Sequence, residues 1–176
     1  MPIKVNMEIR TNYHTLNKTT DKGFILVIFV TWLLAGTMDA LAATFILAGG
    51  NGAGVFKFVA SSLYGKAAFS GGSDMVLQGL IIHYLIALVF TRFYFYLYPR
   101  LAFLKRSVVI NCILYGLFVW SVMNLIAVPL TRIGWRGIHA QPAIVNAVIL
   151  IFCIALPITL MASKYYNTKP ISSKNL

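Results

Sequence analysis

An all-α polytopic membrane fold follows from three observations: four transmembrane helices, with a short interfacial or re-entrant helix between the first and second. Long apolar stretches occupy residues 24–48, 75–98, 107–131 and 142–162. Each meets the roughly 20 apolar residues needed to cross a hydrocarbon core about 30 Å thick. The chain is 59% hydrophobic and only 11% charged, which leaves too little polar surface for a soluble domain. No stretch alternates as barrel strands do, and a spanning segment must satisfy its own backbone hydrogen bonds, so helices are expected. One domain, 23–164, is expected between a polar amino-terminal tail, 1–22, and a carboxy-terminal tail, 165–176.

The tail over 1–22 is rich in Thr, Asn and Lys. Ile3, Val5, Met7 and Ile9 alternate with Lys4, Asn6, Glu8 and Arg10, the pattern of an edge strand offered to a partner. A short mobile tail is the simpler expectation. Lys18 and Lys22 ahead of an apolar run, with Ala40-Leu41-Ala42 inside it, imitate a signal peptide. The long region before the run and its continuation through Thr44-Phe45-Ile46-Leu47-Ala48 favour an uncleaved anchor, with a three-span chain as the alternative.

Gly49-Gly50-Asn51-Gly52 breaks the first span, and Ser70-Gly71-Gly72-Ser73 introduces the second. Between them Phe56, Val59, Ala60, Leu63 and Ala67 recur at helical spacing, with Lys57, Ser61 and Lys66 elsewhere on the wheel. This predicts an amphipathic helix within 53–69, held at the interface by Lys57 and Lys66, as a surface connector or a re-entrant segment. The second span closes in a run of Tyr and Phe between Arg92 and Arg100, and Pro99 stops it. Arg92 lies about 10 Å from that boundary, within snorkelling reach, and is expected to be an anchor. Trp135 and Arg136 mark the opposite interface beside Arg132 and His139, and Tyr165-Tyr166 mark the end of span four. Pro157 is expected to kink that last span.

The formal net charge of +11 is unevenly placed. Four spans put both termini on one side. That side carries Lys4, Arg10, Lys18, Lys22, Arg92, Arg100, Lys105, Arg106, Lys164, Lys169 and Lys174, and the other only Lys57, Lys66, Arg132 and Arg136. Eleven against four predicts cytoplasmic termini by the positive-inside rule. The excess also favours anionic headgroups, and no nucleic-acid motif accompanies it, so the expected partner is membrane lipid and not nucleic acid.

Asp39 is the informative residue, since a carboxylate inside an apolar span is costly in lipid and must face protein or water. It lies roughly 13 Å below the outer boundary, and His83 lies about 12 Å deep on span two. Asn124 on span three and Asn146 on span four fall in the same outer half. A polar site of Asp39, His83, Asn124 and Asn146, opening outward beneath the interfacial helix, is the joint expectation. Ala35, Asp39 and Ala43 share one helix face, with Gly36 and Ala40 beside it, and Gly79, His83, Ala87 and Phe90 form a second stripe. Small residues at such spacing allow close helix approach.

Three roles for Asp39 and His83 stay open. A carboxylate beside imidazole exchanges protons near neutral pH and can serve a proton or cation path. It can contribute to a metal site, although zinc takes three or four ligands and only Asp74 is placed to add one. It can also be a structural hydrogen bond. No cofactor or metal is expected. The chain has no Walker sequence, no His-Glu-x-x-His and no Gly-x-Ser-x-Gly elbow, and Cys112 and Cys153 read as packing residues. No internal repeat indicates an inverted-repeat transporter.

His83 followed by Tyr-Leu-Ile-Ala-Leu-Val-Phe90, then Tyr98-Pro99, then Asn124-Leu-Ile-Ala-Val-Pro129-Leu130, resembles the YagU-like bacterial inner-membrane proteins. The resemblance implies a bacterial cytoplasmic-membrane protein and supplies no activity. It also implies a His where this chain has Asn124, a departure that removes half of any paired-histidine site. The functional expectation is a small transporter or permeation component for protons or a small solute. The alternatives are an accessory subunit of a larger membrane complex, assembled with other subunits or itself, and an intramembrane enzyme acting on lipid.

Overall fold

The structure, a computed structural model, describes residues 2–135, 137 and 139–168, with side chains from Lys22 onward. Among these residues it is an all-α polytopic bundle without strands. Four helices are long and apolar enough to cross a membrane: Lys22–Leu47, Ser73–Leu97, Val108–Leu130 and Ala140–Thr168. Ile25, Leu26, Leu85, Val89 and Ile113 are among many large apolar side chains turned outward, as a lipid-facing surface requires.

Helix α1 spans Pro2–Ala42 without interruption. Where an irregular tail was expected over 1–22, with an edge strand considered for it, residues 2–22 are instead the first half of this helix. No Gly or Pro lies between Pro2 and Gly23 to break it, and Pro2 sits where a missing N–H costs nothing. The helix then widens into a π-helical segment, Ala43–Leu47, in which the Ala48 N–H reaches back to the Ala43 carbonyl at 3.0 Å. Gly49 and Gly50, with φ of 56° and 95°, reverse the chain in a conformation that suits only glycine.

The single helix expected within 53–69 is two helices, α2 (Gly52–Tyr64) and α3 (Ala67–Ser70), because Gly65 breaks it at φ 61°. Asn51 caps α2 by accepting from the Gly54 N–H at 2.9 Å. The buried face also differs from the one expected: Ala60 and Ser61 are buried, whereas Leu63 and Ala67 are exposed. Helix α2 does not lie alone on a surface. It is seated on α4 (Ser73–Leu97), so closely that a Cβ on Gly79 would fall 1.8 Å from the Phe56 carbonyl oxygen. Its far end is tied to the loop after span three, where the Arg132 N–H donates to the Ser62 carbonyl.

Span three comprises α5 (Val108–Ser121), a π-helical segment Val122–Ala127, and the closing turn α6 (Val128–Leu130). Span four repeats that plan with α7 (Ala140–Ile149), a π-helical segment Leu150–Ala155, and α8 (Leu156–Thr168). Both π segments end just before a proline at the second position of the next helix, Pro129 and Pro157. Proline cannot donate to the carbonyl four residues back, and its ring clashes with it. Widening the preceding turn accommodates both problems, so the kink expected at Pro157 takes this form.

Helix α1 packs on α4 and on span four, and span four packs on α5. Close approach depends on small residues. A Cβ on Gly116 would lie 2.7 Å from the Ile151 backbone, and one on Gly36 would lie 2.9 Å from the Tyr84 ring. At the end bearing the termini, Tyr94, Phe95, Tyr98, Tyr115, Ile158 and Ala162 make a filled core.

Candidate functional site

The α1–α4 interface fixes how Asp39 and His83 are aimed. The Trp32 indole N–H donates to the Tyr84 carbonyl at 2.6 Å, and the Tyr84 hydroxyl pairs with Thr37 at 2.8 Å. The Tyr84 ring meanwhile fills the gap left by Gly36. This zipper sets the rotation of both helices and brings His83 over Gly36, where its Nε2 lies 2.9 Å from the Gly36 carbonyl oxygen. A carbonyl only accepts, so Nε2 carries the proton in this pair. The other ring nitrogen, Nδ1, lies 4.0 Å from Asp39 Oδ2. Phe56 of α2 meets the His83 ring edge-to-face at 6.1 Å between centroids.

On the opposite wall the Asn124 amide donates to the Trp120 carbonyl at 2.9 Å and to Asn146 Oδ1 at 3.4 Å. Asn124 Oδ1 and the Asn146 amide hydrogens have no protein partner among the described residues. Between these two pairs is a cavity of about 700 Å³. Asp39, His83, Asn124 and Asn146 all line it, so the four polar residues of four separate spans meet at one site. The cavity runs from Ala48, Asn51 and Ile133 at the loop end down to Phe90, Val119 and Ile154. Val55, Phe58, Val59 and Ser62 of α2 form one wall.

All three π-helical segments border the same space, through Ala43 and Leu47, through Met123, Asn124 and Ala127, and through Leu150 and Ile154. Such segments displace a helix locally and are frequent at functional sites. Sequence reasoning missed them, and it missed Tyr84 and Asn51. The available signals were Pro129 and Pro157 for two of the π segments, and the match of a small Gly36 to a large Tyr84.

The residues expected at the interfaces are more scattered. Lys57 is half-buried on α2, while Lys66 and Arg92 are exposed; none of the three lines the cavity. Arg136 lies outside the described residues. Cys112 and Cys153 are both free, and the Cys112 thiol packs toward the Ile151 carbonyl at 3.3 Å. Among the described residues no three His, Cys, Asp or Glu side chains gather as a metal site would need.

The fold and site therefore define a four-span helical bundle with a mostly apolar cavity in the half beneath α2, into which four polar side chains converge. No family model, curated protein or solved structure matches the chain.

Proposed function

We propose that the protein is a small permeation or transport component of a bacterial cytoplasmic membrane. Its termini face the cytoplasm, and a small solute or protons enter its cavity from the outer side. One observation carries the reading: a polar side chain from each of four spans converges on one cavity, large enough for a solute and walled by a separate short helix. A purely structural polar contact needs no such space. The eleven-to-four charge bias supports the orientation.

Asp39 and His83 are the groups suited to take and return a proton during passage, since they face each other at the cavity wall. In vesicles reconstituted with the protein and loaded with a pH-sensitive dye, an imposed pH gradient should collapse faster than in protein-free vesicles. Asp39→Asn should slow that collapse about tenfold, equivalent to about 1.4 kcal/mol of barrier. Collapse at the protein-free rate, or an Asp39→Asn protein as fast as its parent, would remove the permeation reading.

A further inference from the structure

The cavity presents acceptors. His83 Nε2–H is committed to the Gly36 carbonyl, so a neutral His83 turns the Nδ1 lone pair toward Asp39 Oδ2, 4.0 Å away. Two acceptors facing each other repel unless a hydrogen-bond donor lies between them. At that separation both fall within ordinary hydrogen-bond length, about 2.8–3.0 Å, of one nitrogen placed beside the line joining them. Asp39 takes no hydrogen bond from any described residue, so its carboxylate oxygens are available. Asn124 Oδ1 adds a third acceptor across the cavity.

The charge balance points the same way. Among the described residues no Lys or Arg lines the cavity, and Asp39 is its one acidic residue. An anion would meet a carboxylate with no fixed cation to offset it. A donor-rich cation would meet its complement, and burial away from water strengthens that pairing.

Size and wall chemistry define the rest of the ligand. A proton or a single water needs far less than about 700 Å³, whereas small-molecule pockets span about 300–1,000 Å³ and are mostly apolar with a few placed polar groups. Val59, Ile86, Leu150 and Ile154 supply such walls. We infer that the cavity binds a protonated organic amine with an apolar body, its ammonium group held between Asp39 Oδ2 and His83 Nδ1. The inference rests on the reading of the cavity as a solute site and names the class of that solute.

The test uses the full chain in zwitterionic nanodiscs and three probes of one shape, 2-phenylethylammonium, 2-phenylethanol and phenylacetate, with binding measured by equilibrium dialysis against empty nanodiscs. The ammonium probe should bind at one per chain, about tenfold tighter than the alcohol, and phenylacetate should not bind. In Asp39→Asn the preference for the ammonium over the alcohol should vanish while the alcohol keeps its affinity. Equal binding of ammonium and alcohol to the unaltered protein would overturn the inference, whatever the folding of the variant. So would a preference that survives Asp39→Asn. Ammonium binding without flux in vesicles would remove the permeation reading and keep this inference; flux without ammonium preference would do the reverse.

Discussion

In the half of the bundle that carries the chain termini, the four spans meet on aromatic rings; in the half beneath α2, they part around a cavity. The ring contacts are dense at the first end. Tyr94 and Tyr115 lie 4.6 Å apart between centroids, Tyr98 stacks on Tyr166 at 5.3 Å, and Phe24 meets Phe95 edge-on at 6.1 Å. Two of the hydroxyls close on backbone carbonyls, Tyr115 on Phe90 at 2.6 Å and Tyr166 on Phe95 at 3.0 Å. At the other end Ala43 and Ala87 line the cavity, and the three π segments border it. One end spends large side chains on filling space, and the other spends small ones on leaving it. The filled end is the floor of the cavity, which Phe90 and Val119 line.

The comparison breaks most readily at the seat of α2. Gly79→Ala sets a methyl against the Phe56 backbone, which cannot yield as a side chain would. The expected loss of stability is about 3 kcal/mol, the upper end for overpacking, read as a lowered thermal midpoint in detergent. A variant that melts like its parent would mean that α2 is not seated on α4 and that the cavity has no fixed wall.

Coupling between Asp39 and His83 sharpens the comparison from inside the cavity. In a double-mutant cycle of Asp39→Asn and His83→Asn in the ligand-free protein, each single change already relieves two acceptors facing each other, so the double variant should cost more than the summed single variants. A coupling of about 1 kcal/mol is expected. A value near zero would show that the pair, despite its 4.0 Å separation, acts as two independent groups.

The smallest effects belong to the filled end, and they should differ in sign. Tyr115→Phe removes the hydroxyl bond to the Phe90 carbonyl, which keeps its helical N–H donor, and should cost about 1 kcal/mol. Tyr94 is also buried, but its hydroxyl has no partner among the described residues, so Tyr94→Phe should be neutral or stabilising in the same melting assay. A loss at Tyr94 as large as at Tyr115 would show that the floor depends on that hydroxyl.

Hydropathy made the four spans legible, and counting along each helix gave the depth of Asp39, His83, Asn124 and Asn146. Depth fixes height in the bundle and leaves rotation open. The stripe of Gly79, His83, Ala87 and Phe90 narrowed rotation on α4 because its small members had to face a neighbour. For α1 the deciding contacts were with Trp32, Thr37 and Tyr84, and these join residues 47 or more positions apart that no periodicity connects. The face of α2 was misread for a related reason. Ser61 is buried because its hydroxyl returns to the Phe58 carbonyl at 2.6 Å, which lets a polar residue sit where an apolar one was expected. The helical form of residues 2–22 went unseen because polarity argued for a tail, while the absence of any breaker argued for a helix.

The prolines of spans three and four carry one more consequence, in the currency of insertions and deletions. A π-helical turn holds an extra residue over nearly the same rise, so each of these spans contains slack that a plain α-helix lacks. Removing one residue from Val122–Ala127 or Leu150–Ala155 would keep the faces above and below in phase, but the tightened α turn would bring Pro129 or Pro157 back against the carbonyl four residues before it. The same deletion within α4 has no slack to draw on and rotates everything beyond it by about 100°. A one-residue deletion therefore keeps the bundle in register only at the two turns that border the cavity, and there it calls for another residue in place of Pro129 or Pro157.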